Sequence, residues 1–336
     1  MLRKDIVAIG GSAGSLAVLK RLLAELPEDF PATLFVAVHA PSQSPGYLTE
    51  ALASVSNLPV ERATDGRPIE PSRVYVAVPG RHLLIHGEVI RLGDGPRENM
   101  AKPAIDALFR SAALSYGGRA VGVVLSGMLN DGASGLNAIK ACGGTAVVQH
   151  PLDAEADQMP LAALEAVAAD EIASAANLGS ILTAIVETAA GVSIEPSPSI
   201  ALEVRIAAGA RLGSRALRMF ADPSALSCPE CHGVLSEVRG ERPLRYRCQI
   251  GHAHTAESLA SQTGELDEAM HVALRVMEER VTLVTRMAED ARTSGRMAIA
   301  ELYTTRADEY ARYADVIRGA AISSLRFGGR EGEGEF

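Results

Sequence analysis

The stretch Ile6-Val7-Ala8-Ile9-Gly10-Gly11-Ser12-Ala13-Gly14-Ser15 runs from an apolar segment into glycines around one serine, then opens an amphipathic segment. Gly10-Gly11-Ser12-Ala13-Gly14 fits G-x-S-x-G, where small neighbours let the chain turn sharply and leave a serine hydroxyl at the carboxyl end of a strand. A helix beginning at about Ser15 would offer its free N–H groups to developing negative charge. Ser12 is therefore a candidate nucleophile, and an ordinary glycine loop is the competing reading. A phosphate cradle fits less well, because G-x-G-x-x-G is not satisfied and no Walker lysine follows.

Serine is a weak nucleophile at neutral pH and needs a base, which in turn needs an orienting acid. His39 stands just past the apolar run 34–38, in the proline- and serine-rich loop VHAPSQSPG. Asp131 stands in Leu125-Ser126-Gly127-Met128-Leu129-Asn130-Asp131-Gly132, a glycine-rich loop that also follows an apolar run. In an open α/β sheet, ligands bind at the carboxyl ends of the strands. Three loops on that edge would bring Ser12, His39 and Asp131 together. Each has a plainer role as well: a lone histidine is more often structural, and Asp131 is placed to cap a helix starting near Ala133. In the catalytic reading His39 takes the serine proton and Asp131 holds the imidazole tautomer and stabilises the imidazolium. Backbone N–H groups near Ala13 and Met128 are the candidate oxyanion donors, worth about 3 kcal/mol each. The order Ser…His…Asp differs from the Ser…Asp…His order of α/β-hydrolases and argues against that fold.

A second cluster lies further along. Cys228-Pro229-Glu230-Cys231 forms a Cys-x-x-Cys knuckle, and Cys248 and His252 make a second pair within RCQIGHAHT. A hairpin over residues 234–238 and 244–247 would bring the pairs together as tetrahedral thiolate and imidazole ligands of a structural zinc. His254 or His232 could replace His252. A redox role for Cys-x-x-Cys lacks a surrounding thioredoxin-like βαβ unit. Residues 222–256 have little core without a metal.

The elements that position these groups follow from periodicity. Residues 6–9, 34–38, 74–78, 121–125 and 145–148 are near-continuous apolar runs, as strands buried on both faces should be. Residues 16–26, 47–54, 104–116, 136–142 and 161–168 space apolar residues at helical intervals. This alternation predicts an α/β fold, a doubly wound and mostly parallel sheet with helices on both faces. Residues 82–85 and 89–92 flank His86-Gly87-Glu88 and read as a hairpin at a sheet edge. After Ala190, GVSIEPSPSIALEV shows no helical period and reads as a linker. From Glu265, the apolar residues Met270, Leu274, Met277, Val281, Val284 and Ala288 step by fours and threes, and Tyr303, Ala307, Tyr310, Ala314, Ile317 and Ala321 repeat the step after Thr293-Ser294-Gly295-Arg296. Two antiparallel helices follow from that spacing.

The predicted organisation is thus a catalytic-type domain over 1–190, a linker and short helix over 191–221, a ribbon over 222–256, a helical pair over 257–325 and a disordered Gly/Glu tail over 326–336. The chain's 336 residues suggest about two domains at roughly 150 residues each. Hydrophobic residues make up 47% and are enough for real cores. Net charge of −9 disfavours nucleic acid and anionic membrane as partners. Three cysteines within the ribbon and a lone Cys142 are not a disulfide scaffold, and no apolar run is long enough to span a bilayer, so a cytoplasmic, reducing compartment is expected.

In order along the chain, IVAIGGSAGS, the VHAP loop, DGRPIEPSRVYVAVPGRHLLI, KPAIDALFRSAA, LSGMLNDGASGL and QMPLAAL resemble the catalytic domain of bacterial chemotaxis protein-glutamate methylesterases, the CheB type. The resemblance covers residues 1 to about 190. It implies Ser12 as nucleophile, His39 as base, Asp131 as acid and Met128 at the oxyanion site. It also implies hydrolysis of γ-glutamyl methyl esters on methyl-accepting receptor proteins, with deamidation of receptor glutamines as a further activity and no cofactor for catalysis. Two departures stand out. Ala13 replaces the family's usual threonine, leaving only the backbone N–H there. The sequence opens directly on the first strand, without the family's receiver domain before it, so the expectation is that control comes from a partner, from the C-terminal half, or not at all. The ribbon and helical pair resemble an appendage of some receiver-less relatives, and the helices are candidates for self-association or docking of a signalling partner. A non-catalytic signalling scaffold and a serine hydrolase of another ester or amide are the alternative functions.

Overall fold

The computed structural model describes residues 2–39, 47–211, 213–240, 242–261 and 264–327, and the expected tail beyond residue 327 lies outside them. The strands of the first part are β1 (Ile6–Gly11), β2 (Thr33–Val38), β3 (Val60–Arg62), β4 (Val74–Val76), β5 (His82–His86), β6 (Val89–Gly93), β7 (Ala120–Val124), β8 (Thr145–Gln149) and β9 (Glu171–Ala173). Seven of them form one sheet in the order β3-β4-β2-β1-β7-β8-β9, with every neighbouring pair parallel. The chain winds outward from β1 through β2 on one side, then returns to β7 on the other. The carboxyl ends of β1 and β7 therefore flank the switch point, where an open sheet leaves a crevice.

The interleaved helices are α1 (Ser15–Glu25), α2 (Tyr47–Ala53), α3 (Ile105–Tyr116), α4 (Ala133–Ala141), α5 (Gln158–Ala166) and α6 (Leu178–Glu187). Val7 and Ile9 of β1 pack with Leu19, Leu22, Leu182 and Ile185 from α1 and α6. Ile6 and Ala8 face the other way, toward Ile105, Leu108, Leu136 and Ile139 from α3 and α4. This period-two alternation with both faces covered is why the central strands read as unbroken apolar runs. At Gly10 a Cβ would lie 2.1 Å from Ile105 Cγ2, so only glycine lets the start of α3 press against the end of β1.

Two expectations about this part need correction. The hairpin expected at a sheet edge is a separate two-stranded sheet, β5 with β6. Its Leu83, Ile85 and Ile90 bury in the cluster that contains Leu108 and Phe109 of α3, so it covers a helix instead of extending the main sheet. The segment read as a linker contains α7 (Pro198–Ala207), whose proline sits in the first turn, where its missing N–H costs nothing. Ala207 packs with Ala104, Ala107 and Leu84.

After α8 (Ser214–Leu217) come β10 (Ala221–Ser227), β11 (Val234–Val238), β12 (Arg245–Cys248) and β13 (Ala253–Thr255), a consecutive antiparallel four-stranded ribbon, and then α9 (Ala256–Ala260). The ribbon shares one compact unit, Met1–Leu259, with the parallel sheet. Arg245 and Arg247 of β12 enter a charge cluster with Glu98, Glu203 of α7 and Arg110 of α3, each no more than 2% exposed. Arg245 pairs bidentately with Glu203, at 3.1 and 2.9 Å.

The second unit, Ala260–Phe336, holds α10 (Gly264–Thr293) and α11 (Met297–Phe327). Val284, Ala288, Ala291, Ala300, Ala307 and Ala314 bury along their seam. Arg292 bonds Thr304 at 2.6 Å near the turn and Arg318 bonds Glu278 at 2.7 Å farther from it, so the pair runs antiparallel. Among the described residues, no helix is long and apolar enough to cross a membrane.

Candidate active site

Ser12 sits one residue past β1, its N–H donating to Ser126 O at 2.9 Å in the loop after β7. Gly14, with φ of 76°, is the N-cap of α1, and the Ser15 N–H and hydroxyl both donate back to Ser12 O. Gly127 packs so closely that a Cβ there would lie 2.9 Å from Ser12 Cβ. The backbone N–H groups of Ala13 and Met128 donate to no acceptor among the described residues.

His39 follows β2, and its N–H donates to Gly11 O at 3.2 Å, carrying the β1–β2 ladder one residue further. Its Nε2 lies 2.8 Å from Asp131 Oδ2. Nδ1 is therefore the ring nitrogen left to exchange a proton with a hydroxyl. The carboxylate of Asp131 is 2% exposed and accepts at both oxygens. Oδ2 also takes the Ile105 N–H at 2.7 Å, and Oδ1 takes the Asp106 N–H at 3.2 Å and Asn99 Nδ2 at 3.1 Å. Asp131 thus sits at the N-terminus of α3, where the helix dipole favours an anion.

The plainer role considered for Asp131, capping the helix near Ala133, falls to another residue. Gly132 is the N-cap of α4 without a side-chain cap, while Asp106 Oδ1 accepts the Gly132 and Gly135 N–H groups at 3.0 and 2.7 Å. The two buried acids consequently differ in charge preference. Burial pushes both up, but for Asp131 the His39 hydrogen bond and charge, the Ile105 N–H and Asn99 outweigh it and hold the carboxyl below its ordinary value. Asp106 is pushed up to about 6, by burial first and by the Asp131 charge second.

Ser12, His39 and Met128 line a cleft of about 870 Å³, together with Arg97, Asn99 and Lys102 from the segment between β6 and α3. Glu230 and His252 of the ribbon form part of the same wall. Asn99 lies in a loop without motif, and Asp106, although inside the KPAIDALFRSAA stretch, has the pattern of an ordinary first-turn acid, so neither role is visible in the sequence.

Behind that wall, the ligand atoms of Cys228, Cys231, Cys248 and His252 lie within 4.8 Å of one another. Individual separations are 3.6 Å between Cys231 Sγ and Cys248 Sγ, and 3.7 and 3.5 Å from His252 Nδ1 to Cys228 and Cys248. Such spacings suit the edges of a tetrahedron with Zn–S bonds of about 2.3 Å. The other ring nitrogen, His252 Nε2, lies 3.5 Å from Glu230 Oε2, the outer carboxylate that commonly orients a ligating histidine. Burial pushes the Cys228 thiol up to about 12, so a thiolate there calls for a cation. Of the two substitutes considered, His232 is exposed and outside the cluster, and His254 is buried with Nε2 3.7 Å from Cys228 Sγ.

A doubly wound sheet thus carries at its switch point a cleft lined by Ser12 and His39, with the buried Asp131 bonded to His39, an arrangement that fits a serine-dependent hydrolase. The family model described as CheB methylesterase matches residues 7–182, and the chain belongs to that family. A Leptospira interrogans protein, provisionally described as a protein-glutamate methylesterase/protein-glutamine glutaminase, is 37% identical over 171 residues, 51% of this chain and 89% of the relative. Protein-glutamate methylesterase/protein-glutamine glutaminase 5 of Myxococcus xanthus is 43% identical over 171 residues, and the match spans 48% of each chain. The crystal structure of the Thermotoga maritima CheB methylesterase catalytic domain superposes with a TM-score of 0.53 at 30% identity, covering 55% of this chain and 100% of that one.

Proposed function

We propose that the chain hydrolyses γ-glutamyl methyl esters on methyl-accepting, chemoreceptor-like proteins, and deamidates glutamine at equivalent positions, through Ser12, His39 and Asp131. The observation that carries this reading is the 2.8 Å His39–Asp131 bond at the same cleft as Ser12. His39 Nδ1 takes the Ser12 proton as Oγ bonds to the ester carbonyl carbon. The resulting oxyanion is held by the Ala13 and Met128 N–H groups, the role the sequence assigns to them. Collapse expels methoxide, which leaves as methanol with the proton from His39. Water, deprotonated by His39, then attacks the acyl-serine to release glutamate and restore Ser12. Asp131 stays ionised throughout and stabilises the imidazolium. For a glutamine substrate the leaving group is ammonia.

The test is methanol release from a methylated receptor, with ammonia release from its unmodified glutamines in parallel. Stoichiometric methanol supports the reading. Absence of both products from receptor substrates and from simple methyl esters would instead favour a non-catalytic signalling role. In the same assay Gly127→Ala is expected to slow turnover about 10²-fold, since a displacement near 1 Å at the reacting atoms has that scale of effect. The added methyl would press on Ser12 Cβ and the Met159 sulfur; an unchanged rate would show that the loop absorbs it elsewhere.

Structural zinc held by Cys228, Cys231, Cys248 and His252 completes the proposal. When bound, it would fasten β10–β13 and play no part in ester chemistry, since all four tetrahedral positions are filled by protein. Cobalt substitution is expected to produce thiolate charge-transfer absorption that Cys231→Ser weakens. Chelation should speed amide exchange over residues 228–255. Protein lacking both signals would exclude the metal.

A further inference from the structure

The segment between β6 and α3 carries one residue that joins the ribbon to the site. Glu98 bridges to Ala253 of β13, the Asn99 N–H donates to Ala253 O at 2.8 Å, and the Ala253 N–H donates to Arg97 O at 3.3 Å. This pairing holds Asn99 and Met100 at φ of 49° and 63°, a left-handed stretch that side-chain-bearing residues seldom adopt.

The Asn99 side chain is buried, and each end has a directed partner. Its Nδ2 donates to Asp131 Oδ1 and to Asp106 Oδ2, both at 3.1 Å. Its Oδ1 accepts the backbone N–H of Thr255 at 3.1 Å. A backbone N–H can only donate, so Thr255 fixes the oxygen end of the amide and thereby aims the nitrogen at the two acids.

We infer that Asn99 is a positioning residue for Asp131, and that the ribbon, through the Thr255 N–H, sets its orientation. The inference rests on reading Asp131 as the acid of the triad. Asn99 pins Oδ1 so that Oδ2 faces His39, and its amide stands between Asp131 and Asp106, whose charges otherwise repel. The ribbon is then part of the catalytic scaffold although, among the described residues, none of its side chains hydrogen-bonds Asp131 or His39. Other charged groups near the site are Arg110 on α3, Asp94, Arg97, Glu98 and Lys102 on the connecting segment, and Glu230 and His252 on the ribbon; among the described residues none of them hydrogen-bonds the Asn99 side chain.

The decisive experiment titrates the His39 imidazole by nitrogen-15 NMR in full-length Ser12→Ala protein, with and without Asn99→Gly or Asn99→Ala. Glycine accepts the left-handed backbone and alanine strains it, so an effect common to both belongs to the lost amide. Without that donor Asp131 becomes more basic and holds the imidazolium more tightly. The His39 midpoint should rise by about half a unit to one unit. With Ser12 intact, kcat should fall by about 10²-fold at nearly constant KM, because transition-state positioning and not uniform binding is lost. An unmoved His39 midpoint in both folded variants overturns the inference. The titration needs no turnover, so it separates this failure from a failure of the methylesterase reading, which appears as wild-type protein that releases no product.

Discussion

Ser12→Ala is expected to abolish methanol release, lowering kcat about 10⁶-fold, because a serine triad acts as a unit and loses nearly everything with its nucleophile. Cleft, ribbon and hydrogen bonds around Asp131 do not depend on the Ser12 hydroxyl: the Ser12 bonds to Ser126 and Ser15 use its backbone N–H and carbonyl. The variant should therefore fold, melt with wild type and still bind a methylated receptor helix. Asp131→Asn provides the graded comparison at about 10⁴-fold, the scale seen when the acid of such a triad becomes an amide and the imidazole adopts the wrong tautomer. A carboxylate held below its ordinary value stays ionised at neutral pH, so protonation of Asp131 should not set the acid limb of the wild-type profile. Rates of Ser12→Ala within tenfold of wild type would sink the assignment of the nucleophile, whatever the substrate.

How much of the fold and site was legible in the sequence divides by range of interaction. Strand-end loops with glycine around Ser12 and Asp131 carry a local signature, and an apolar run before each fixes its edge of the sheet. The short outer strands β3 and β9 lack that signature, since Val60-Glu61-Arg62 and Glu171-Ile172-Ala173 owe their pairing to a neighbour and not to their own pattern. Helix α7 was hidden because two serines and two prolines precede its apolar residues, and its burial comes from α3, a distant partner in sequence. Asn99 was hidden for a similar reason. Its meaning lies entirely in Asp106, Asp131 and Thr255, and the last is 156 positions away. The separation of ribbon from catalytic half in the sequence follows from composition, which says nothing of Arg245 and Arg247 reaching Glu203 and Glu98.

That buried charge cluster supports the largest expected effect on stability. Glu203→Ala should destabilise the Met1–Leu259 unit by about 3–5 kcal/mol, the usual consequence of removing one partner from a buried ion pair and leaving the other charged. Arg245 loses both hydrogen bonds of its bidentate pair, Arg247 loses one of two carboxylate partners, and Arg110 loses the Glu203 charge on its Nε side. Arginine cannot shed its proton to escape, so the positive charge remains. Urea unfolding at neutral pH is the measurement, and a change below about 1 kcal/mol would mean that water reaches the cluster and screens it. Replacing Glu203 and Arg245 together with leucine and methionine should restore only the share of the loss that belongs to Arg245, since Arg110 and Arg247 still lack the Glu203 charge. The acid dependence has a definite sign. Glu98 and Glu203 feel burial first, yet the arginine charges prevail and hold both carboxyls below their ordinary value. Their contribution is fully present above the unfolded carboxylate pKa of about 4.3 and is lost as pH falls through the depressed values. Asp106 runs the opposite way, because its raised value of about 6 makes the folded state bind a proton more tightly, and its contribution declines as pH rises through that value. Wild type should therefore weaken steeply in strong acid, and Glu203→Ala, already lacking one depressed carboxyl, should show the shallower slope there.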